Sequence, residues 1–414
     1  MNIKYLKNRI VLCLLAAVVA ITGFGACKPV KEIAEVAEVI TQELPSLKDT
    51  LTSLVEINRA IDQAMSRGET ELTFNATGID EQELKYIGSN LSTFWGKPVR
   101  FSINSIYEGI EGIIPGRAVD VKNITNYFEL SDNYYVYSFI RNGRPIPEEM
   151  QRAKEIASWL PAIASEIFPD PAASDYEKTL AAHDWVVANI DYGDASPGSS
   201  DENNSFGAIV LRRTMCQGYA EAFELLLRCY TDVEVAQIVG EALNYLNEAL
   251  TSQEVGADDQ IVSDTDKPVG AWGGHAWNAV KMDGAWYQVD TTFDDPKGNP
   301  AGQVSHFYFG QTDAVMQRNH RWEREYFPVS DTENFLYFRR SGLFAEEWAA
   351  FQAILTGLLT EAPISYLEIA VTGAAIDENN IQFTYQIRLD LQEIWWHEQV
   401  WEDIHVHSIE FIYS

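Results

Sequence analysis

Three residues of the chain could together do nucleophilic chemistry: Cys216, His275 and Asp290, in that order. A cysteine attacks as its thiolate, and the proton it gives up needs a base. Histidine is the usual base, and a carboxylate on the far side of its ring orients it and stabilises the imidazolium that forms. Singly, each has a plainer reading: a small buried hydrophobe, a satisfied core histidine, a strand-end or turn aspartate. They matter as a set because the elements around them place each where the chemistry needs it.

Cys216 opens a run rich in apolar residues: Ala220, Ala222, Phe223, Leu225, Leu226, Leu227 and Tyr230. They cover more than one helical face, which predicts a helix buried on most sides. Thr214 followed by Gln217 fits a capping box, so Cys216 falls in the first turn. There the unpaired N–H groups and the positive end of the helix dipole favour negative charge on sulfur. Downstream, Asp283 and Gly284 are the strongest short hairpin signal. A two-residue turn there pairs Met282 with Ala285, sets Trp277 opposite Asp290 and sets His275 opposite Thr292. His275 and Asp290 then share a face as diagonal neighbours, about 7–8 Å apart at Cβ, which an imidazole and a carboxylate can bridge. A three-residue turn would put them on opposite faces.

The strings Cys216-Gln-Gly-Tyr-Ala, Gly-His275-Ala-Trp-Asn and Trp-Tyr-Gln-Val-Asp290 resemble the bacterial transglutaminase-like superfamily. Flanking matches begin at His183-Asp-Trp, Asp290-Thr-Thr-Phe-Asp-Asp-Pro and His306-Phe-Tyr-Phe-Gly, and the resemblance covers residues 145–325. It implies a papain-like core with Cys216, His275 and Asp290 as triad. It does not fix a reaction, since members include acyl transferases, peptidases and proteins that have lost activity. The expected fold is α+β, with the nucleophile at a helix N-terminus, His and Asp on an antiparallel sheet, and smaller modules on either side. The Cys216 N–H, Tyr192, Gln217 and Trp277 are candidates to line the cleft or hold an oxyanion. Trp185 reads as core.

The start of the chain reads as a targeting segment. Lys4, Lys7 and Arg9 precede an apolar stretch over 10–21, too short to span a bilayer comfortably. Gly25 and Ala26 then lead to Cys27, as in the bacterial lipobox, although Phe24 stands where an aliphatic residue is usual. The expectation is a signal peptide over 1–26, lipidation of Cys27 and a membrane-anchored exported protein; the alternative is an ordinary secretory peptide cleaved nearby, which also exports the chain. Cys216 and Cys229 lie thirteen residues apart on one proposed helix, roughly 20 Å along its axis. A disulfide needs Cα atoms within about 7 Å, so Cys216 should stay a free thiol.

With 30 basic and 61 acidic residues the net charge is −31. Such a surface repels phosphate backbones, and nucleic acid is excluded as a partner. The tether and its helix take residues 27–67. A small α/β domain over 68–142 has strands at 71–75, 99–107 and 134–141 and a helix at 79–94. The core takes 143–327, with helices over 147–167 and 174–190, a strand over 233–240 and an acidic insertion over 246–268. A C-terminal module over 328–414 has a helix at 344–359 and strands at 365–374, 381–389 and 403–413. The acids of the insertion lack the spacing and glycine of a calcium loop, and His397, His405 and His407 lack an accompanying carboxylate or thiol cluster, so no metal or cofactor is expected. Trp395, Trp396 and Trp401 read as strand packing.

The resulting expectation is an extracytoplasmic thiol enzyme that cleaves or transfers an amide acyl group through a Cys216 thioester. Its substrate would be a protein or peptide amide, cell-wall peptides included. Hydrolysis is favoured over cross-linking, because water is abundant and no amine-binding site is evident. The alternative is an inactive transglutaminase-like module that binds or scaffolds at the cell surface.

Overall fold

The apolar run after Cys216 folds as a helix, and its half of the chain is built round it. The computed structural model describes residues 50–79, 94–109, 118–193, 203–243, 272–295, 303–361, 364–373, 391–401 and 403–413. The chain divides into two units, Met1–Leu130 and Ser131–Ser414.

In the first unit, β1 (Thr50–Leu51), α1 (Leu54–Ser66), β2 (Glu71–Thr77), β3 (Gly96–Gly109) and β4 (Ala118–Leu130) form one helix and a sheet of order β1-β2-β4-β3. Ser53 caps α1 by accepting from the Glu56 N–H, and Ile57, Ile61, Ala64 and Met65 form its buried stripe. The expected strands at 71–75 and 99–107 fall within β2 and β3. The helix expected over 79–94 lies almost wholly outside the described residues, and β4 was not foreseen.

The second unit starts with a correction. Residues 134–141, expected as a strand, belong to α2 (Asp132–Asn142). Ser131 accepts from the Tyr134 N–H at its start, and Gly143 ends it at φ 66. These caps override the strand preference of a Tyr-, Val- and Phe-rich segment. Next come α3 (Gln151–Ile167), α4 (Asp175–Asn189) with a full capping box at Ser174 and Glu177, and the short parallel pair β5 (Asp191–Tyr192) and β6 (Arg213–Thr214). After these comes α5 (Cys216–Tyr230), buried continuously from Gly218 to Leu227. Helices α2, α3 and α4 pack on it, as do β7 (Val235–Leu243) and β8 (Trp272–Met282). Two acids lie inside this buried run. Glu224 accepts from Arg228 at 2.6 Å and Asn278 at 3.3 Å, and Glu221 accepts from the Ser205 N–H and Gln217, both at 2.8 Å. Buried carboxylates without such donors would cost several kcal/mol.

With β9 (Ala285–Val289), β10 (Phe309–Gln311) and β11 (His320–Arg321) the sheet has the order β10-β9-β8-β7-β11, antiparallel throughout. The chain continues through α6 (Leu336–Arg340), β12 (Phe344–Ala345), α7 (Trp348–Glu361), β13 (Tyr366–Thr372), β14 (Leu391–Trp401) and β15 (Ile404–Tyr413). The last four strands form a sheet of order β12-β13-β15-β14, and α7 packs Phe351, Leu355 and Leu359 against it. Trp401 is buried with Phe335 and Val406. The insertion at 246–268 and the strand expected at 381–389 lie outside the described residues, as does Cys27. No described helix is long and apolar enough to cross a membrane.

Candidate active site

Cys216 is the first residue of α5 and is partly exposed, whereas Cys229 near the other end is buried. The thiol therefore belongs to the helix end that carries the first-turn N–H groups, as the sequence implies. The cap differs from expectation. Met215 is the N-cap, in extended conformation and without a side-chain bond, and the box between Thr214 and Gln217 does not form. Thr214 is drawn into β6, paired with Tyr192, and the Gln217 amide donates to Glu221 instead. Gly218 is needed where it is. A Cβ there would run into the Thr214 hydroxyl and stand 2.6 Å from the Asn204 carbonyl oxygen.

Asp283 and Gly284 make the two-residue turn, at φ 53 and 88. Met282 pairs with Ala285 and the register runs to Asn278 opposite Val289. It delivers the expected contact: His275 Nε2–H donates to Asp290 Oδ2 at 2.7 Å. Cys216 also interacts with the His275 ring, and with Nε2 committed to Asp290 the nitrogen left for the sulfur is Nδ1. Sulfur, imidazole and carboxylate are thus linked in the order Cys216, His275, Asp290.

Asp290 is fully buried and accepts four hydrogen bonds. Its Oδ1 takes the Thr292 and Phe293 N–H groups at 2.9 and 3.1 Å. Its Oδ2 takes His275 and, at 2.9 Å, the Nε2–H of His320. Burial alone would lift the Asp290 carboxyl, but the charge and hydrogen bond of His275, with that of His320, hold it well below the usual range. Burial likewise presses the His275 imidazolium to deprotonate. The charge and hydrogen bond of Asp290, with the Cys216 contact, outweigh it and raise His275 above an ordinary histidine. For His320 burial wins, reinforced by the charge of His275, and its affinity for a proton falls. One carboxylate thus serves two unlike imidazoles.

Sequence reasoning missed His320. It is a lone histidine on an edge strand, and nothing in its spacing ties it to Asp290. It pairs with Ala242, and two residues away on the same strand Gly240 pairs with His275. A Cβ on Gly240 would collide with the Arg321 carbonyl, so the missing side chain lets β11 close over β7.

The other cleft candidates divide. Tyr192 sits beside Thr214, two residues before Cys216, with its ring 6.3 Å from that of Tyr219. Gln217 has its amide N–H committed to Glu221, and Trp277 does not line a cleft at all. It is 1% exposed, lies beneath His275 with ring centroids 5.7 Å apart, and donates its indole N–H to Gln288. Trp185 is core, with the Arg212 guanidinium 4.4 Å from its ring. Among the described residues two groups bring histidine and carboxylate atoms within metal-binding reach: His275, Asp290 and His320, and separately His183, Asp184 and His306. The first is fully buried around Asp290, and the alignment with Cys216 accounts for its geometry.

A thiol at the head of a buried helix, facing a carboxylate-anchored imidazole on a sheet, is the arrangement of papain-like cysteine centres. Residues 162–291, which include all three groups, match the model of the transglutaminase-like superfamily, so the chain carries a transglutaminase-like domain. Kyphoscoliosis peptidase of Mus musculus is 26% identical over 140 residues, and that of Homo sapiens 27% over 138. In both cases the similarity takes in 33% of this chain and only 18% of the relative's length. A crystal structure of a TGase aligns at 12% identity and a TM-score of 0.24, over 57% of this chain and 56% of that one.

Proposed function

We propose that this protein is a thiol acyl-transfer enzyme that hydrolyses peptide or protein amides outside the cytoplasm, held at a membrane by lipid on Cys27. The alignment of Cys216, His275 and Asp290 carries the chemical part of this reading. Cys216 gives its thiol proton to His275 Nδ1 and its sulfur attacks the amide carbonyl, while the Cys216 N–H at the helix head faces the developing oxyanion. His275 then passes its proton from Nδ1 to the leaving nitrogen, the C–N bond breaks and a thioester remains. Water, losing a proton to His275, resolves the thioester to a carboxylic acid, and His275 returns that proton to the departing sulfur to restore the thiol. Asp290 acts through His275 by holding Nε2–H, which leaves Nδ1 towards the sulfur. Kyphoscoliosis peptidase carries a peptidase name, which accords with hydrolysis.

Activity profiling with an electrophilic amide probe tests the chemistry. Wild type should label and Cys216→Ala should not. A folded wild type that labels no faster than buried Cys229 would reduce the domain to a binding module. The anchor has its own test, in which an azido fatty acid tags wild type but not Cys27→Ser. An untagged wild type in the cytoplasm would refute it.

A further inference from the structure

Two histidines that the Cys216 chemistry does not use converge on one carboxylate in the second unit. His183, on α4, is completely buried, and its Nε2 meets Asp294 Oδ2 at 3.0 Å. Its Nδ1 stands 2.9 Å from Asp184 Oδ1. His306 is held in the same way. Its Nδ1 meets Glu368 Oε2 at 3.1 Å, its backbone N–H donates to that oxygen at 2.9 Å, and its ring lies flat on Tyr337 at 3.7 Å. Its Nε2 stands 3.1 Å from the same Asp184 Oδ1. Each imidazole is thus clamped from behind by a carboxylate of at most 3% exposure, and each turns its free nitrogen to one point.

From this geometry we infer that His183, Asp184 and His306 form a binding site for one divalent transition-metal ion of zinc type. Metal-ligating histidines characteristically have the far ring nitrogen fixed by a carboxylate, and both rings here have that support from residues outside the ligand set. Two imidazole nitrogens and one carboxylate oxygen suit zinc, not calcium or magnesium. The three ligand atoms lie within 4.8 Å of one another. In a tetrahedral site with bonds of 2.0–2.1 Å, donors stand about 3.3 Å apart. The two nitrogen–oxygen separations, 2.9 and 3.1 Å, are already close to that value, and the two nitrogens, within 4.8 Å of each other, would draw together on the ion as the Asp184 oxygen recedes. The Asp184 side chain is 43% exposed, which gives it room to move and opens the fourth position to water. A rival arrangement has a proton on each facing nitrogen, hydrogen-bonded to Asp184. One divalent ion replaces those two protons without changing the net charge, so the surroundings that suit one state suit the other. The bound ion would join α4 to the segment before β10 and, through Glu368, to β13.

Cobalt(II) is the informative probe, added to full-length protein in detergent after chelator treatment. The expected result is one equivalent bound with visible d–d bands of a four-coordinate nitrogen–oxygen site and no sulfur-to-cobalt band. Zinc should displace it. Cys216→Ser should bind equally, which separates this site from the thiol. His306→Ala should abolish binding, and the partly exposed Asp184→Asn, checked for folding by circular dichroism, should weaken it at least tenfold. No stoichiometric binding by folded wild type, a thiolate band lost in Cys216→Ser, or undiminished binding in folded Asp184→Asn would overturn the assignment. None of these outcomes bears on amide hydrolysis at Cys216, except that a thiolate band would place the metal there.

Discussion

Asp290 sets the properties of the histidine it holds, and that influence can be measured. Its charge and hydrogen bond raise His275 against the opposing effect of burial. The imidazolium therefore persists to higher pH than in an ordinary histidine, and it loses that advantage when the carboxylate goes. NMR of histidine-labelled protein should show His275 titrating above the usual value of about 6.5, and at or below it in Asp290→Asn. An unmoved titration would mean that Asp290 does not support the imidazolium. His320 holds the same oxygen from the other side, so His320→Ala should slow probe acylation at Cys216 about tenfold, the equivalent of one hydrogen bond to a charged group. The fold should survive, and His320→Gln, which keeps a donor, should recover part of the rate.

At the level of elements, the close fit round the start of α5 is the most exposed to change. Gly218→Ala would gain helix propensity of about 1 kcal/mol. It would also force a methyl group towards the Asn204 carbonyl and the Thr214 hydroxyl, and overpacking of that kind typically costs about 1–3 kcal/mol. The expected outcome is a lower urea midpoint together with slower labelling of Cys216, because the same backbone carries the thiol. The local parts of this arrangement were legible in the sequence. Asp283 and Gly284 fixed a register, and the register brought His275 to Asp290. The parts that could not be read there depended on partners distant in sequence. Thr214 looked like a cap until β5 claimed it, and Gln217 until Glu221 did. His320 reaches Asp290 across a strand that has no side chain at Gly240. The error over α2 was of another kind: Ser131 and Gly143 were legible capping signals, and tyrosine-rich strand propensity obscured them.

Across the whole second unit, the core and the last sheet are joined through a polar contact as well as apolar ones. Glu368 on β13 accepts both the backbone N–H and the ring N–H of His306. Glu368→Ala would leave Nδ1 of that buried imidazole without its partner and should destabilise the unit by about 3 kcal/mol, read as a lower midpoint in thermal or urea unfolding. Glu368→Gln should cost less, since it keeps one acceptor. The same contact bears on how such a chain can be inherited. The segment matching the superfamily ends at residue 291, short of both His306 and Glu368. A recombination joint placed anywhere between those two would transmit all three members of the cysteine centre and still strand half of a buried polar pair. A fusion that exchanges the stretch after residue 306 therefore has to bring a matching partner for His306, and the last sheet travels with the core as a single heritable block.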